Sequence, residues 1–314
     1  MASTAPLAGV GSAGDDRAKG DDDDGTDVTH PDAWRRDEGE APLSVAHRGY
    51  AGLYPENTVA AVEGAADAGA DMVEVDVVPT ADGDVVVFHD NRLSSRDGGE
   101  REVTDADGLV WERSTDAVTS ATVLRSGETV PLLTEVLDAL PEAVAVNVEF
   151  KNPGSLDLRF AEKLSDDALS AQTAVWRPFT HRVLSVLDGY DHDVLVSSFY
   201  EAALATVREA DPSIPVAPLL RDSIADGLAI AREYDAEAVH PPYNMVEGTP
   251  FFDDSYSTEG PSGEVDLLAV AHEEGRAVNV YTVRTWYEAQ RLAAAGVDGL
   301  VVDYPNLLNC RGEP

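Results

Sequence analysis

The chain has 314 residues, enough for one large domain or two ordinary ones, and its formal net charge is −37. This charge disfavours nucleic-acid binding through phosphates, because the two partners would repel each other. No apolar run approaches the roughly 18–20 residues of a membrane-spanning helix, and the N-terminus lacks the basic and apolar segments of a signal peptide. The sequence therefore predicts a cytoplasmic protein without a membrane span.

The acidity belongs mostly to the predicted folded region. Residues 1–40 carry a net charge of −7, and the remaining 274 residues carry −30. A patch for a basic partner is one interpretation, but we favour a surface adapted to high salt, where screening removes the self-repulsion. The first 40 residues, rich in Asp and Gly, predict an acidic disordered tail, and residues 41–310 are predicted to form the folded domain. The single cysteine, Cys310, excludes an internal disulfide.

After the tail, short β-branched runs alternate with amphipathic helical patterns, which is typical of a parallel sheet covered by helices. The predicted strands are 43–47, 72–77, 143–151, 193–199, 215–220, 236–241, 277–283 and 299–303. Helical patterns fall between them, for example at 56–70, 200–210 and 285–296. Gly69 and Gly296 stand where helix ends favour a left-handed residue.

Eight strands with helices between them predict an α/β fold, a (β/α)₈ TIM barrel, rather than an open doubly wound sheet. No G-x-G-x-x-G follows the first strand, which disfavours the open sheet. Residues 84–90 predict a hairpin partner for the second strand, and residues 91–130 predict a small insertion after it. Residues 247–263 predict a long loop over a site.

Charged side chains interrupt these predicted strands at alternate positions. Because side chains alternate across a strand, Glu74 and Asp76 share the face opposite the valines between them. The same parity turns Glu149 and Lys151 of the third barrel strand, and His47 of the first, into the barrel. All five stand at the C-terminal ends of strands, where barrel enzymes have their active sites.

Three convergent carboxylates require positive charge, since an unpaired buried carboxylate costs several kcal/mol. One lysine cannot neutralise Glu74, Asp76 and Glu149 together. An oxygen-preferring divalent cation, Mg²⁺ or Ca²⁺, can do so. The alternative is a purely structural network with arginines, and the number of strand ends that carry such side chains favours the metal site.

The remaining candidates flank these strands. His47 and His89 each end a strand beside the carboxylates, and an imidazole that titrates near neutrality suits a general acid or base. In the first loop, Arg48 suits a phosphate, Gly49 would let the backbone approach a ligand, and Glu56 is an acid next to that arginine. Asn57 and Thr58 fit a plain helix start equally well. Together these groups predict phosphoryl chemistry on a small-molecule ester.

The segment 46–90, "AHRGYAGLYPENTVAAVEGAADAGADMVEVDVVPTADGDVVVFHD", resembles the signature of the glycerophosphodiester phosphodiesterase family. The elements that match are H-R-G, P-E-N-T, E-x-D with D-G, and H-D. Further matches are "VPLLTEVLDAL", "NVEFK", "SSF" and "AAGVDGLVVDYP". The resemblance spans about 43–306, and it implies a (β/α)₈ barrel with a small insertion after the second strand.

The resemblance also implies roles. His47 and His89 correspond to the acid–base pair, and Glu74, Asp76 and Glu149 to the metal ligands. Arg48 and Lys151 correspond to the phosphate contacts, and Glu56 to a supporting loop glutamate. The implied reaction hydrolyses glycerophosphodiesters to glycerol phosphate and an alcohol.

Two positions depart from the family pattern. The seventh strand reads "YTVR" in place of W-T-V-N, so Tyr281 and Arg284 stand at the substrate's organic part. "SSRDGG" replaces the usual R-T-T-x-G after H-D. These departures keep two alternatives open: lysophospholipase D cleavage of a bulkier lipid, and a catalytically silent barrel that binds a ligand. The alcohol, the preferred metal and the oligomeric state are not predicted.

Overall fold

The computed structural model describes residues 34–36, 39–96, 101–253 and 265–308. All eight predicted barrel strands are present; the third, fourth, fifth, sixth and eighth are shorter than predicted, and the second is longer. In chain order the strands are β1 Leu43–His47, β2 Met72–Pro79, β3 Val85–Val87, β4 Ser95–Arg96, β5 Arg101–Glu102, β6 Ala145–Phe150, β7 Val194–Ser198, β8 Val216–Pro218, β9 Ala238–Val239, β10 Ala277–Val283 and β11 Gly299–Val302.

Eight of these strands form a parallel barrel. They follow the spatial order β8-β7-β6-β2-β1-β11-β10-β9, and a parallel bridge between Leu219 and His240 joins the two ends of that path. β3 pairs antiparallel with β2, as the hairpin prediction required. The prediction of a (β/α)₈ barrel is therefore confirmed.

Helices cover the outside of the barrel. They are α1 Val59–Asp67, α2 Thr115–Thr119, α3 Leu133–Ala139, α4 Asp166–Leu187, α5 Glu201–Ala210, α6 Ile224–Glu233, α7 Leu267–Glu273 and α8 Trp286–Ala295. Gly69 and Gly296 adopt the left-handed conformation after α1 and α8, with φ of 79° and 92°. Among the described residues, no helix is both long and apolar enough to cross a bilayer.

The two faces of the barrel strands pack against different surroundings, as the alternation of their side chains predicts. Val73, Val75 and Val77 of β2 belong to the outer core with residues of the covering helices. A second cluster fills the barrel interior: Trp34, Leu43, Val45, Met72, Leu195, Ala217, Ala238, Ala277 and Val301. The barrel interior is thus apolar towards the N-terminal ends of the strands, and the predicted site residues lie further along the same strands.

Residues 91–130 form a small structure beside the barrel. They contain β4, β5, the 3₁₀ helix Val110–Glu112 and α2. Their apolar side chains join Val78 and Val86 in a separate buried cluster, so this segment has its own small core against the β2–β3 hairpin. Of the predicted tail, residues 1–33 and 37–38 lie outside the described residues, as do 254–263 of the predicted loop. Trp34 is buried in the barrel interior, and the Arg36 backbone N–H donates to Asp298 (3.0 Å).

Candidate active site

A cavity of 370 Å³ opens at the C-terminal ends of the barrel strands. Seven of the nine predicted site residues line it: His47, Arg48, Glu74, His89, Glu149, Lys151 and Tyr281. The other two, Asp76 and Glu56, are buried behind this wall, where each contacts the guanidinium of Arg48. The structure therefore brings the predicted residues together at the end of the barrel where such folds carry their active sites.

The three predicted metal ligands converge because of the strand register. β2 and β6 pair in parallel with Asp76 opposite Glu149 and Glu74 opposite Asn147. All three carboxylates are buried, and one oxygen from each lies within 4.8 Å of the others. Oxygens that share one Mg²⁺ or Ca²⁺ lie roughly 3–5 Å apart, given metal–oxygen distances of about 2.0–2.6 Å. The spacing suits a single divalent cation.

The protonation equilibria of these carboxylates indicate an excess of negative charge. Burial raises the pKa of Glu74 well above its usual value, and the Asp76 and Glu149 carboxylates raise it further. Burial also raises the pKa of Glu149 to about 7, against the opposing effect of Lys151. Glu74 Oε1 and Asp76 Oδ1 are buried without a hydrogen-bond partner among the described residues. Unpartnered carboxylate oxygens of this kind are suitable ligands for a divalent cation.

Arg48 and Lys151 supply the positive charge that the chain itself places in the site. Arg48 Nε lies 3.2 Å from Asp76 Oδ2, and Lys151 Nζ lies 2.7 Å from Glu149 Oε1 and 3.6 Å from Asp76 Oδ1. Burial raises the pKa of an isolated carboxylate, but these cations, Lys151 foremost, hold the pKa of Asp76 below its usual value. Asp76 is therefore the member of the triad that is ionised most readily.

The backbone of Arg48 is also part of the site. Its φ of 50° is in the left-handed region, which costs a non-glycine residue about 1 kcal/mol. In this conformation its N–H donates to Glu74 Oε2 at 2.8 Å. The neighbouring Gly49 has φ of 76°, and a Cβ there would lie 2.7 Å from Ala61. The close approach of this backbone to α1 therefore requires a glycine at position 49.

Glu56 lies between two arginines. It accepts from Arg48 NH1 at 3.0 Å and from Arg96 NH1 at 3.0 Å, and Arg96 also donates to Asp90. Burial alone would raise its pKa, but the two guanidinium groups outweigh burial and lower the pKa of Glu56 to about 2. The Glu56 carboxylate is therefore ionised at neutral pH, and it orients the guanidinium of Arg48.

Each of the two predicted catalytic histidines has a carboxylate partner. His47 Nδ1 lies 2.6 Å from Asp303 Oδ1, and His89 Nδ1 lies 3.1 Å from Asp90 Oδ1. A carboxylate only accepts, so Nδ1–H is the donor in both pairs, and Nε2 is the ring nitrogen left for the cavity. Burial lowers the pKa of both imidazoles, and the nearby Arg48 lowers it further. Both rings are therefore neutral at pH 7 in the free protein.

The sequence did not predict Asp303 and Arg96, and it left Asn57 and Thr58 open between a role in the site and a plain helix start. Asp303 follows Val301 on the inward-facing parity of β11, so the rule that found Glu74 would also have found it. Asn57 donates to Asp76 Oδ2 at 2.7 Å and accepts from the Asp76 N–H at 3.2 Å, while Thr58 caps α1. Arg96 lies in the insertion, and no periodicity marks it.

Tyr281 stands on β10, which is three strands away from β2 around the barrel. Its hydroxyl donates to the Leu220 carbonyl, and its ring meets that of Phe199 edge-on, with 5.9 Å between centroids. Arg284 donates through Nε to Asp303 Oδ2 at 2.6 Å. Of the two residues that depart from the family pattern, Tyr281 thus contacts the ring of Phe199, and Arg284 contacts Asp303, the partner of His47.

A parallel barrel that brings a buried carboxylate triad, two carboxylate-paired histidines and two half-buried cations to one end is suited to chemistry on phosphate esters. The model of the glycerophosphoryl diester phosphodiesterase family matches residues 47–307. The chain belongs to this family and is a phosphoric diester hydrolase.

Individual relatives agree in length and fold. A glycerophosphodiester phosphodiesterase of Bacillus altitudinis is 28% identical, over 83% of this chain and 94% of its own. One of Caldanaerobacter subterraneus subsp. tengcongensis is 27% identical, over 85% and 96%. The structure of a phosphodiesterase of Oleispira antarctica, in complex with the product sn-glycerol-3-phosphate, superposes with a TM-score of 0.66, 24% identity, and coverage of 86% of this chain and 96% of that one.

Proposed function

We propose that this protein hydrolyses glycerophosphodiesters to glycerol phosphate and an alcohol, with one divalent cation, Mg²⁺ or Ca²⁺, and with His47 and His89 as the acid–base pair. The observation that carries the proposal is the meeting of three buried carboxylate oxygens within 4.8 Å in a cavity that both histidines line. Membership of the family and the two bacterial relatives agree with this reaction.

Glu74, Asp76 and Glu149 are the residues that would hold the cation. When bound, a divalent cation supplies Lewis-acid stabilisation of the charge that develops on the phosphoryl oxygens. Arg48 and Lys151 lie beside these ligands and orient the phosphodiester, since both are held in place by carboxylates within 3.2 Å. Fixed cations of this kind need no reorganisation as the transition state forms.

The two histidines transfer protons on opposite sides of the phosphorus. One neutral imidazole takes a proton through Nε2 from the water that attacks phosphorus, and the other, protonated at Nε2, gives that proton to the leaving alcohol oxygen as its bond to phosphorus breaks. The bound phosphodiester anion favours protonation of one ring, which the free protein keeps neutral. Asp303 and Asp90 hold Nδ1 of His47 and His89, so they act as positioning residues for the pair.

The test is a hydrolysis assay on glycerophosphodiesters with Mg²⁺, with Ca²⁺ and with a chelator. His47→Ala and His89→Ala should each lower kcat by about 10²–10⁴, the usual contribution of a general acid or base. His181→Ala is the matched control, because His181 is exposed on α4 beside a groove at the other end of the barrel. Full activity in the chelator would exclude the metal role, and full activity of both active-site variants would exclude the acid–base role.

The lysophospholipase D alternative has one observation in its favour. Phe160, Phe199, Leu219 and Tyr281 give one wall of the cavity an apolar surface. However, Arg221 stands at the same wall, which is unfavourable for an acyl chain. Parallel assays on a lysophospholipid and on its deacylated diester distinguish the two: a higher kcat/KM for the lysophospholipid would favour the alternative.

Three further features remain proposals from the sequence. They are the single domain at 41–310 with its insertion at about 91–130, the adaptation to high salt, and the cytoplasmic location. Repeating the hydrolysis and unfolding measurements from low to molar salt tests the second, because screening should raise the stability of a chain with a net charge of −37.

A further inference from the structure

One wall of the active-site cavity consists of stacked rings. The ring centroids of Phe160 and Phe199 lie 4.7 Å apart with 28° between the ring planes, and Tyr281 meets Phe199 edge-on. Lys151 Nζ lies 5.7 Å from the centroid of Phe199. The wall therefore starts beside the cation that is proposed to bind the phosphodiester, and it leads from there to Phe160, which is 37% exposed.

Arg221 stands at the outer end of this wall. Its guanidinium carbon lies 5.4 Å from the centroid of Phe160, and its side chain is 44% exposed on the loop after β8. A guanidinium over an aromatic face is attracted to the ring and keeps N–H donors available for a ligand. The contact with Phe160 thus holds the donors of Arg221 at the mouth of the cavity.

The charge of Arg221 is the least compensated among the cations that line the cavity. Arg48, Lys151 and Arg284 have carboxylate oxygens at 3.0, 2.7 and 2.6 Å. Among the described residues, the ion-pair partner of Arg221 is Asp222, with 3.9 Å between Nε and Oδ2. This separation is too long for a hydrogen bond. Acidic residues far outnumber basic ones in a chain with a net charge of −37, yet Arg221 lines the substrate cavity without a close carboxylate.

We propose that Arg221 recognises an anionic group, a carboxylate or a phosphate, on the alcohol part of the substrate. The stacked wall then packs against the carbon skeleton between this anion and the phosphodiester. A planar guanidinium binds either anion through two parallel N–H···O bonds. The inference rests on the proposed phosphodiesterase function and specifies the substrate class: glycerophosphodiesters whose alcohol carries its own negative charge.

Two matched substrate pairs test the proposal, and they separate the two anions. Glycerophosphoserine differs from glycerophosphoethanolamine by one carboxylate, and glycerophosphoinositol 4-phosphate differs from glycerophosphoinositol by one phosphate. Wild-type protein should show a higher kcat/KM for the anionic member of at least one pair. In Arg221→Gln this preference should fall about tenfold, the size expected for loss of a charge-assisted hydrogen bond.

Arg177→Gln is the matched control. The Arg177 side chain is also 44% exposed and lines the groove at the other end of the barrel, where it pairs with Glu209 at 2.8 Å. The control should keep the wild-type preference, because it changes the net charge equally without touching the cavity. Equal kcat/KM for both members of both pairs in wild type, or an unchanged preference in Arg221→Gln, would overturn the proposal.

A binding measurement separates this inference from the proposed function. Titration calorimetry of the four diesters with His47→Ala protein in Mg²⁺ gives dissociation constants without turnover. If His47→Ala protein prefers the anionic diesters and His47→Ala/Arg221→Gln protein does not, the subsite is supported. This holds even if the wild-type protein hydrolyses none of the diesters, because the lack of hydrolysis would reject only the proposed function. Hydrolysis of all four diesters with no preference in rate or in binding rejects only the subsite.

Discussion

The two ends of the barrel interior differ in chemistry although the same strands build both. At the N-terminal ends, Leu43, Met72 and Leu195 pack with Trp34 in an apolar cluster. His47, Glu74 and Asp76 lie on the same strands as Leu43 and Met72, one or two inward-facing positions closer to the C-terminal ends. The apolar end gains stability from burial. The polar end buries like charges that disfavour folding, so its residues are explained by a ligand and not by stability.

The largest expected effect comes from removing charge at the polar end. Glu74→Gln should lower kcat by about 10³, since it removes one ligand of a cation that contributes several kcal/mol. The metal-free variant should be more stable than wild type at pH 7, because a carboxyl whose pKa is raised by burial costs stability when ionised. Steady-state kinetics and denaturant unfolding in a chelator measure both.

The control for Glu74→Gln is Met72→Leu, a volume-conserving change on the same strand face. It should leave kcat unchanged. A Glu74→Gln protein with wild-type kcat and an unchanged affinity for Mg²⁺ by calorimetry would contradict the metal site.

A substitution at the apolar end of the barrel interior should affect stability and not catalysis. Met72→Ala should lower the free energy of unfolding by about 3 kcal/mol, the usual cost of a large-to-small change in a core. Met72 is 1% exposed in the cluster that fills the barrel. Urea unfolding and kcat measured on the folded protein test this. If kcat falls as far as in Glu74→Gln, the two ends are not separable.

Removal of the metal should lower stability by a smaller amount. A cation that binds only the folded state stabilises it by about 2.7 kcal/mol at a concentration of 100 times its Kd. The melting temperature of wild type should therefore rise with Mg²⁺ or Ca²⁺ and fall with chelator. In Glu74→Gln this dependence should be weak. An equal rise in both proteins would indicate that the cations act by general screening of the acidic surface.

The smallest effect, followed between pH 6.5 and 5, concerns His240, which accepts from Asn279 Nδ2 at 3.0 Å. Burial lowers the pKa of His240 to about 3. Between about pH 6.5 and 3 the unfolded chain therefore binds one more proton than the folded protein, and stability falls as the pH is lowered. The slope of the unfolding free energy should exceed that of His240→Gln by about 1.4 kcal/mol per pH unit. Equal slopes between pH 6.5 and 5 would show that His240 is protonated in the folded state.

Sequence alone determined the barrel and the faces of its strands, because period-two alternation of valines with charged residues has one consistent solution in a closed parallel sheet. The sequence also predicted nine site residues, from strand parity and from the family resemblance, and seven of them line one cavity. The same alternation rule, applied to β11, also predicts that Asp303 faces inward. Asp303 was missed because the rule was not applied to that strand.

Tertiary structure decided the contacts between residues that are distant in the chain. Arg96 comes from the insertion to pair with Glu56, 40 positions earlier, and Asp303 reaches His47 across 256 positions. Trp34, within a segment that composition marks as a tail, is buried in the barrel interior. Arg221 became a candidate only when folding stacked it on Phe160 at the cavity mouth. Periodicity encodes which face a side chain takes, but its partner depends on how separate elements pack, which no local pattern records.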